Sequence, residues 1–139
     1  MIGDLLVIDE SLTNRLATQL RRRGRNAKAL SELGLKGSKD DVLLAELHSQ
    51  LTEPWVLVTS DDQMPLEHAA TVSRLRPRLA IVDPDVAEGY DPHTDQWECD
   101  VVHRWAHRMQ KIGPGEPRRY GIASHHKWTK PRRPRSIGT

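Results

Sequence analysis

Three short apolar runs constrain this chain more than any other feature. Leu5–Ile8 (LLVI), Trp55–Val58 (WVLV) and Leu79–Val82 (LAIV) are apolar at every position rather than at alternate ones. A strand of this kind is buried on both faces, the condition of a parallel sheet covered by helices on each side. Each run stops abruptly in polar, acid-bearing residues: Asp9–Glu10, Thr59–Ser60–Asp61–Asp62 and Asp83–Pro84.

The segments between the runs read as helices and turns. Leu12, Leu16 and Leu20 recur at i, i+4 and i+8, which predicts a helix over about residues 12–23, capped by Ser11 and ended by Gly24. Residues 26–30 (NAKAL) read as a weak strand, and 31–39 as a loop punctuated by Gly34 and Gly37. A second helix runs from about residues 38–40 to Leu51, burying Leu43, Leu44, Leu47 and Leu51. Pro65 suits the first turn of a short helix reaching about Arg74. Residues 84–94 read as a loop, and a long helix follows over about 95–112. Its stripe of Trp97, Val101, Trp105, Met109 and Ile112 reads as core, with Cys99 semi-buried beside it. Residues 118–123 are expected to form a last, edge strand, with little fixed structure from Ser124 onward. Alternating buried strands and helices imply an α/β fold, three-layer α/β/α, with a mostly parallel twisted sheet and right-handed connections. The 139 residues suffice for one domain, expected over 1–123, followed by a flexible basic tail over 124–139.

Composition excludes several classes. No apolar run reaches the roughly 18 residues of a membrane span, and the start lacks a basic-then-apolar signal pattern. Cys99 is the single cysteine, so an internal disulfide and a cysteine metal cage are ruled out. A cytoplasmic location is the expectation. The formal net charge of +2 conceals an uneven distribution. Residues 118–139 hold Arg118, Arg119, Lys127, Lys130, Arg132, Arg133 and Arg135 and no acid, so the rest of the chain sums to −5. A terminal block of like charge points to a polyanion, RNA or DNA first, or to a solubilising tail with no specific partner. Trp128 among these cations either stacks on an unpaired base or packs back on the body.

In open parallel sheets, sites form at the carboxyl ends of the strands. Asp9 follows one run, Asp61 and Asp62 follow another, and Asp40 and Asp41 open a helix after a glycine loop. Each acid taken singly is also explained as a turn or cap residue. Jointly, carboxylates converging on one edge need a counter-charge, and a hard divalent cation such as Mg²⁺ or Mn²⁺ supplies it. Such a site suits phosphodiester hydrolysis. Ser11 and Ser60 have no base near them in sequence, and Gly34 and Gly37 match no phosphate-loop fingerprint.

These residues, in this order, resemble a known family. Asp9–Glu10 with Leu12, Arg23–Gly24, the loop Leu33–Gly34–Leu35–Lys36–Gly37, Asp40 and Val58–Thr59–Ser60–Asp61 are similar to the motifs of PIN-like domains, relatives of the VapC toxin-type ribonucleases. The likeness covers roughly residues 4–123. It implies a metal-dependent endoribonuclease, with Asp9, Asp40 and Asp61 as catalytic residues holding Mg²⁺ (or Mn²⁺). Asp62 is a further metal ligand under this reading, with Asp41 and Glu10 ranked below it. It also implies an RNA substrate, a small antitoxin protein as partner and a possible homodimer. Arg118, Arg119, Lys127, Trp128, Lys130, Arg132 and Arg133 are the expected RNA contacts. The chain departs from the family pattern at Gln63 and Met64, where a further Asp and a Phe are usual. A binding module that has lost catalysis is the alternative.

Other features read plainly. His103 and His107 stand i, i+4 without the intervening Glu of a zinc-protease motif, and read as a solvated helix face. Arg21, Arg22 and Arg23 favour a helix C-terminus, or touch phosphate. His125 and His126 add charge below neutral pH.

Overall fold

The structure, a computed structural model, describes residues 2–83 and 94–129. Its elements are β1 (Ile2–Ile8), α1 (Leu16–Arg22), β2 (Arg25–Ala29), a 3-10 turn (Leu30–Leu33), α2 (Asp40–Gln50) and β3 (Trp55–Thr59). They continue with α3 (Met64–Glu67), α4 (Ala69–Leu75), β4 (Leu79–Val82), α5 (Asp95–Met109), β5 (Arg118–Tyr120) and β6 (His125–Lys127).

The described strands form one six-stranded sheet in the order β2-β1-β3-β4-β5-β6. The first five run parallel, and β6 pairs antiparallel with β5. The apolar runs behave as their composition requires, because alternate residues feed two separate cores. Leu6, Ile8, Val56, Val58, Ala80 and Val82 face α1 and α5, packing with Leu16, Leu20, Val101 and Met109. Leu5, Val7, Leu57 and Leu79 face the other way, onto Leu43, Leu44 and Leu47 of α2, Met64 and Val72. Helices thus cover both faces of a mostly parallel sheet, an α/β architecture compatible with three α/β/α layers.

Several local expectations change. The first helix begins at Leu16 rather than at residue 12, with Arg15 as its N-cap and no side-chain cap bond. Ser11 does not cap it because its hydroxyl is spent on Asp9 and on the backbone of Ser60. Gly24 does end it, at φ +83°. The helix beginning at Pro65 is two pieces that meet at His68, whose backbone (φ −119°, ψ 36°) leaves the helical region. The long helix stops at Met109 rather than at residue 112, although Ile112 is still buried. Cys99 is fully inside the core rather than semi-buried.

The largest correction concerns the C-terminal segment. The strand expected over 118–123 ends at Tyr120 and is not an edge, since β6 lies outside it. Little fixed structure was expected from Ser124 on, yet His125–Lys127 pairs with β5 in the register Arg118↔Lys127 and Tyr120↔His125. The turn closes through Gly121 N–H to the Ser124 carbonyl, 2.8 Å. The physical reason is that β5 alone offers an unpaired backbone edge, which a hairpin satisfies without any apolar periodicity in the returning strand. The loop expected over 84–94 falls, except for Thr94, outside the described residues. Among the described residues, no helix is long and apolar enough to cross a membrane.

Candidate functional site

The strand order reverses between β1 and β3, so the chain leaves these neighbouring strands toward opposite faces. That divergence opens a crevice at their carboxyl ends, the usual ligand position in such sheets. Asp9 stands one residue past β1, its N–H bonded to the Val58 carbonyl at 2.9 Å. Only 9% of its surface is exposed. Its Oδ2 accepts from the Thr59 hydroxyl (2.7 Å) and from the Ser11 hydroxyl (2.8 Å). Thr59, the fully buried last residue of β3, also accepts the Asp61 N–H at 3.1 Å. One hydroxyl therefore ties the turn carrying Asp61 to the carboxylate of Asp9. Asp61 Oδ1 in turn accepts the Gln63 N–H at 3.0 Å, which fixes its side chain ahead of α3.

Asp40 enters from the α2 face as the first residue of that helix. Its Oδ2 lies 3.4 Å from His68 Nε2. Burial pushes the Asp40 carboxyl above its ordinary range, and the charge of Asp9 pushes it further; His68 pulls it back and Asp61 raises it again. Asp9, Asp40 and Asp61 are thus within electrostatic reach of one another. The spacing is not that of a closed ligand shell: among the described residues, no three His, Cys, Asp or Glu side chains are drawn tightly enough to hold one ion. The chemistry of the donors, carboxylates with adjoining hydroxyls, nonetheless fits a hard divalent cation. The upward pressure on Asp40 comes first from burial and then from the neighbouring acids.

The remaining predicted acids sit elsewhere. Asp62, next in chain to Asp61, turns the other way. Its Oδ2 accepts from Arg119 Nη1 at 3.2 Å, and Arg119 also pairs with Asp83. Glu10 accepts the Gly37 N–H and holds the glycine loop. Asp41 is exposed and bonds the adjacent Val42 N–H.

Among the expected RNA contacts, Arg119 is 9% exposed and committed to Asp62, Asp83 and the Thr129 carbonyl. Trp128 packs back on the body, as the second of its two readings had it: its indole N–H donates to the Asp62 carbonyl at 2.9 Å. Arg118 is half-buried beside His125, and Lys127 is exposed. Lys130, Arg132 and Arg133 lie outside the described residues. His103 accepts an N–H from Arg25, and Arg21 bonds the Ala27 carbonyl and Glu32, both structural uses.

The residues that sequence reasoning passed over are Thr59, Ser11 as a carboxylate partner, and His68. For Thr59 the signal was present in Val58–Thr59–Ser60–Asp61, since a hydroxyl two residues ahead of an acid can bond that acid's backbone. The departures at Gln63 and Met64 also acquire roles. Met64 is fully buried in the α2-side core, and the Gln63 amide donates to Asp62 Oδ1 at 3.3 Å.

Two of the cavities among the described residues differ in their relation to this arrangement. One of about 340 Å³ lies against Asp9, lined also by Ile8, Leu12, Thr13, Leu30 and Lys36. The larger, about 470 Å³, lies at the opposite end of the strands around Trp55, Pro77 and Arg78, remote from the three acids. Of the two, the smaller borders a carboxylate of the trio. Compared with known proteins, the chain matches no family model, no curated protein and no solved structure.

Proposed function

We propose that this chain is a metal-dependent endoribonuclease of PIN-like type. The observation that carries the reading is the convergence at the carboxyl edge of the sheet, where the Thr59 hydroxyl bonds both Asp9 and the Asp61 N–H and Asp40 approaches from α2. Asp9, Asp40 and Asp61 would hold Mg²⁺ or Mn²⁺. When bound, such a cation offsets the gathered negative charge and activates water toward a phosphodiester. The chain's own part is positioning. Thr59 and Ser11 orient the Asp9 carboxylate so that its Oδ1 is left for other contacts. Gln63 fixes Asp61, and His68 steadies Asp40. The cavity beside Asp9 offers room for part of a nucleotide, with Lys36 on its wall to meet phosphate. Following the resemblance, the chain acts as the toxin of a toxin–antitoxin pair, held by a small antitoxin protein, and a homodimer is a further expectation.

The test is RNA cleavage with Mg²⁺ or Mn²⁺ by the wild type and by Asp9→Asn and Asp61→Asn. Losing a ligand should exceed the 10–100-fold cost typical of disturbing a ligand's neighbour, so each variant is expected to lose more than about 100-fold. Equal cleavage by all three proteins refutes the assignment. A second reading, a binding module without catalysis, is favoured by one observation: Arg119 draws Asp62 away while Gln63 stands where the family carries another acid. Retention of RNA with no cleavage by the wild type would select it.

A further inference from the structure

The cavity beside Asp9 is divided between an apolar lining and a polar rim. It lies between the turn after β1 and the 3-10 turn after β2, and its volume of about 340 Å³ is that of a small-ligand pocket. Ile8, Leu12 and Leu30, all buried, and half-buried Ala29 give the apolar lining. Exposed Asn14, Ser31 and Lys36 give the rim, and among the described residues their side chains bond to no other group. Both turns are held in place from their far sides. Glu98 of α5, itself buried, accepts the Thr13 N–H at 2.6 Å. Glu32 accepts the Ala29 N–H at 2.9 Å while pairing with Arg21 at 2.7 Å, and the Leu35 N–H reaches the Leu30 carbonyl at 3.0 Å. A pocket walled in this way is formed before a ligand arrives. Its charges decide what can enter. Of the lining residues, Asp9 and Glu10 are acids and Lys36 is the one cation. A phosphate inside would face two carboxylates, whereas a flat uncharged ring sheds water onto the leucines and leaves its phosphate outside.

We propose that this cavity is a nucleobase pocket for single-stranded RNA, that it takes a base bearing an exocyclic amino group, adenine first, and that Asn14 and Ser31 determine its specificity. The Asn14 amide sets an acceptor beside donors, the pair that the amino group and adjoining ring nitrogen of adenine match. The Ser31 hydroxyl adds a group that donates or accepts. The carboxylates of Asp9 and Glu10 favour an edge that donates, and the two carbonyls of uracil would be set against them. Ribose and phosphate stay outside, where Lys36 meets the phosphate. Naming RNA as the source rests on the nuclease reading; the base pocket rests on the cavity and its lining.

The experiment is run in EDTA, so that binding is read apart from cleavage. Short labelled oligo-A and oligo-U RNAs, and separately AMP, are titrated against the wild type, Asn14→Ala, Ser31→Phe and Lys36→Gln, all at exposed positions. The wild type should bind oligo-A about tenfold more tightly than oligo-U. Asn14→Ala, which removes the reading amide, and Ser31→Phe, which fills the cavity, should each bring that ratio close to one and leave the salt slope unchanged. Lys36→Gln should do the reverse, keeping the ratio and reducing the slope for both RNAs by about 0.7, the value of one single-strand phosphate contact. A wild-type ratio near one, or a ratio that survives either Asn14→Ala or Ser31→Phe, overturns the pocket. AMP bound as tightly as oligo-A, with the same loss in Asn14→Ala, overturns RNA as the source and gives the pocket to a free nucleotide. The nuclease reading is judged apart, by Asp9→Asn with Mg²⁺. Cleavage that needs Asp9, together with a ratio near one, would sink the pocket alone; a ratio abolished by Asn14→Ala, without cleavage by the wild type, would sink the nuclease alone.

Discussion

Asp61 and Asp62 are adjacent in the chain and opposite in circumstance. Asp61 joins Asp9 and Asp40, where burial and like charge push the Asp40 carboxyl upward and His68 lies beside it. Asp62 joins Asp83 around Arg119, whose guanidinium also reaches the Thr129 carbonyl. The first region gathers three acids with no guanidinium among them; the second draws two acids onto one buried guanidinium. Charge alone therefore does not mark a site. Two acids held by a buried guanidinium read as structure, and three gathered without one read as a candidate binding site. The same edge of one sheet holds both outcomes, separated by a single peptide bond.

The contrast can be broken from either side. Thr59→Val keeps the shape but removes the hydroxyl bonded to both Asp9 and the Asp61 N–H. It should cut divalent-metal affinity and cleavage by about 10–100-fold, read by metal titration against Tm and by turnover. Arg119→Met should cost about 2–3 kcal/mol in chemical denaturation, because Asp62 and Asp83 lose a charged hydrogen-bond partner. That loss should be the same with or without Mg²⁺; a loss that Mg²⁺ repairs would merge the two regions. Asp40→Asn should have the smallest effect and the opposite sign. A carboxyl raised in the folded state favours folding most below its ordinary value of 3.8 and loses that advantage as pH rises through its folded value. At neutral pH in EDTA the variant should therefore melt slightly above the wild type, and the gap should close on acidification. A variant less stable than the wild type at neutral pH would show that Asp40 is compensated after all.

How far these regions were legible in the sequence follows from the physics of each contact. Leu5–Ile8, Trp55–Val58 and Leu79–Val82 were readable because burial on both faces demands apolar side chains at every position, a local pattern. Asp9, Asp40 and Asp61 were readable as candidates because strand ends and helix starts can be located from such patterns. The partner of Asp62 was not readable, since Arg119 lies 57 residues away and nothing local links them. Nor was β6, whose residues His125, His126 and Lys127 carry no strand-like alternation; the exposed edge of β5 imposes the pairing. Ser11 departs from its expected capping role for a related reason. A serine ahead of a leucine repeat suits a helix cap, and only the tertiary approach of Thr59 and Ser60 redirects its hydroxyl.

The Trp128 bond to the Asp62 carbonyl also sets an order in time. A ribosome delivers Asp9, Asp40 and Asp61 before it delivers Arg119 and Trp128. Until they do, Asp62 and the turn that carries Asp61 lack the clamp holding them from the far side of the sheet. The clamp on the Asp61 turn thus closes only after the turn itself has been made.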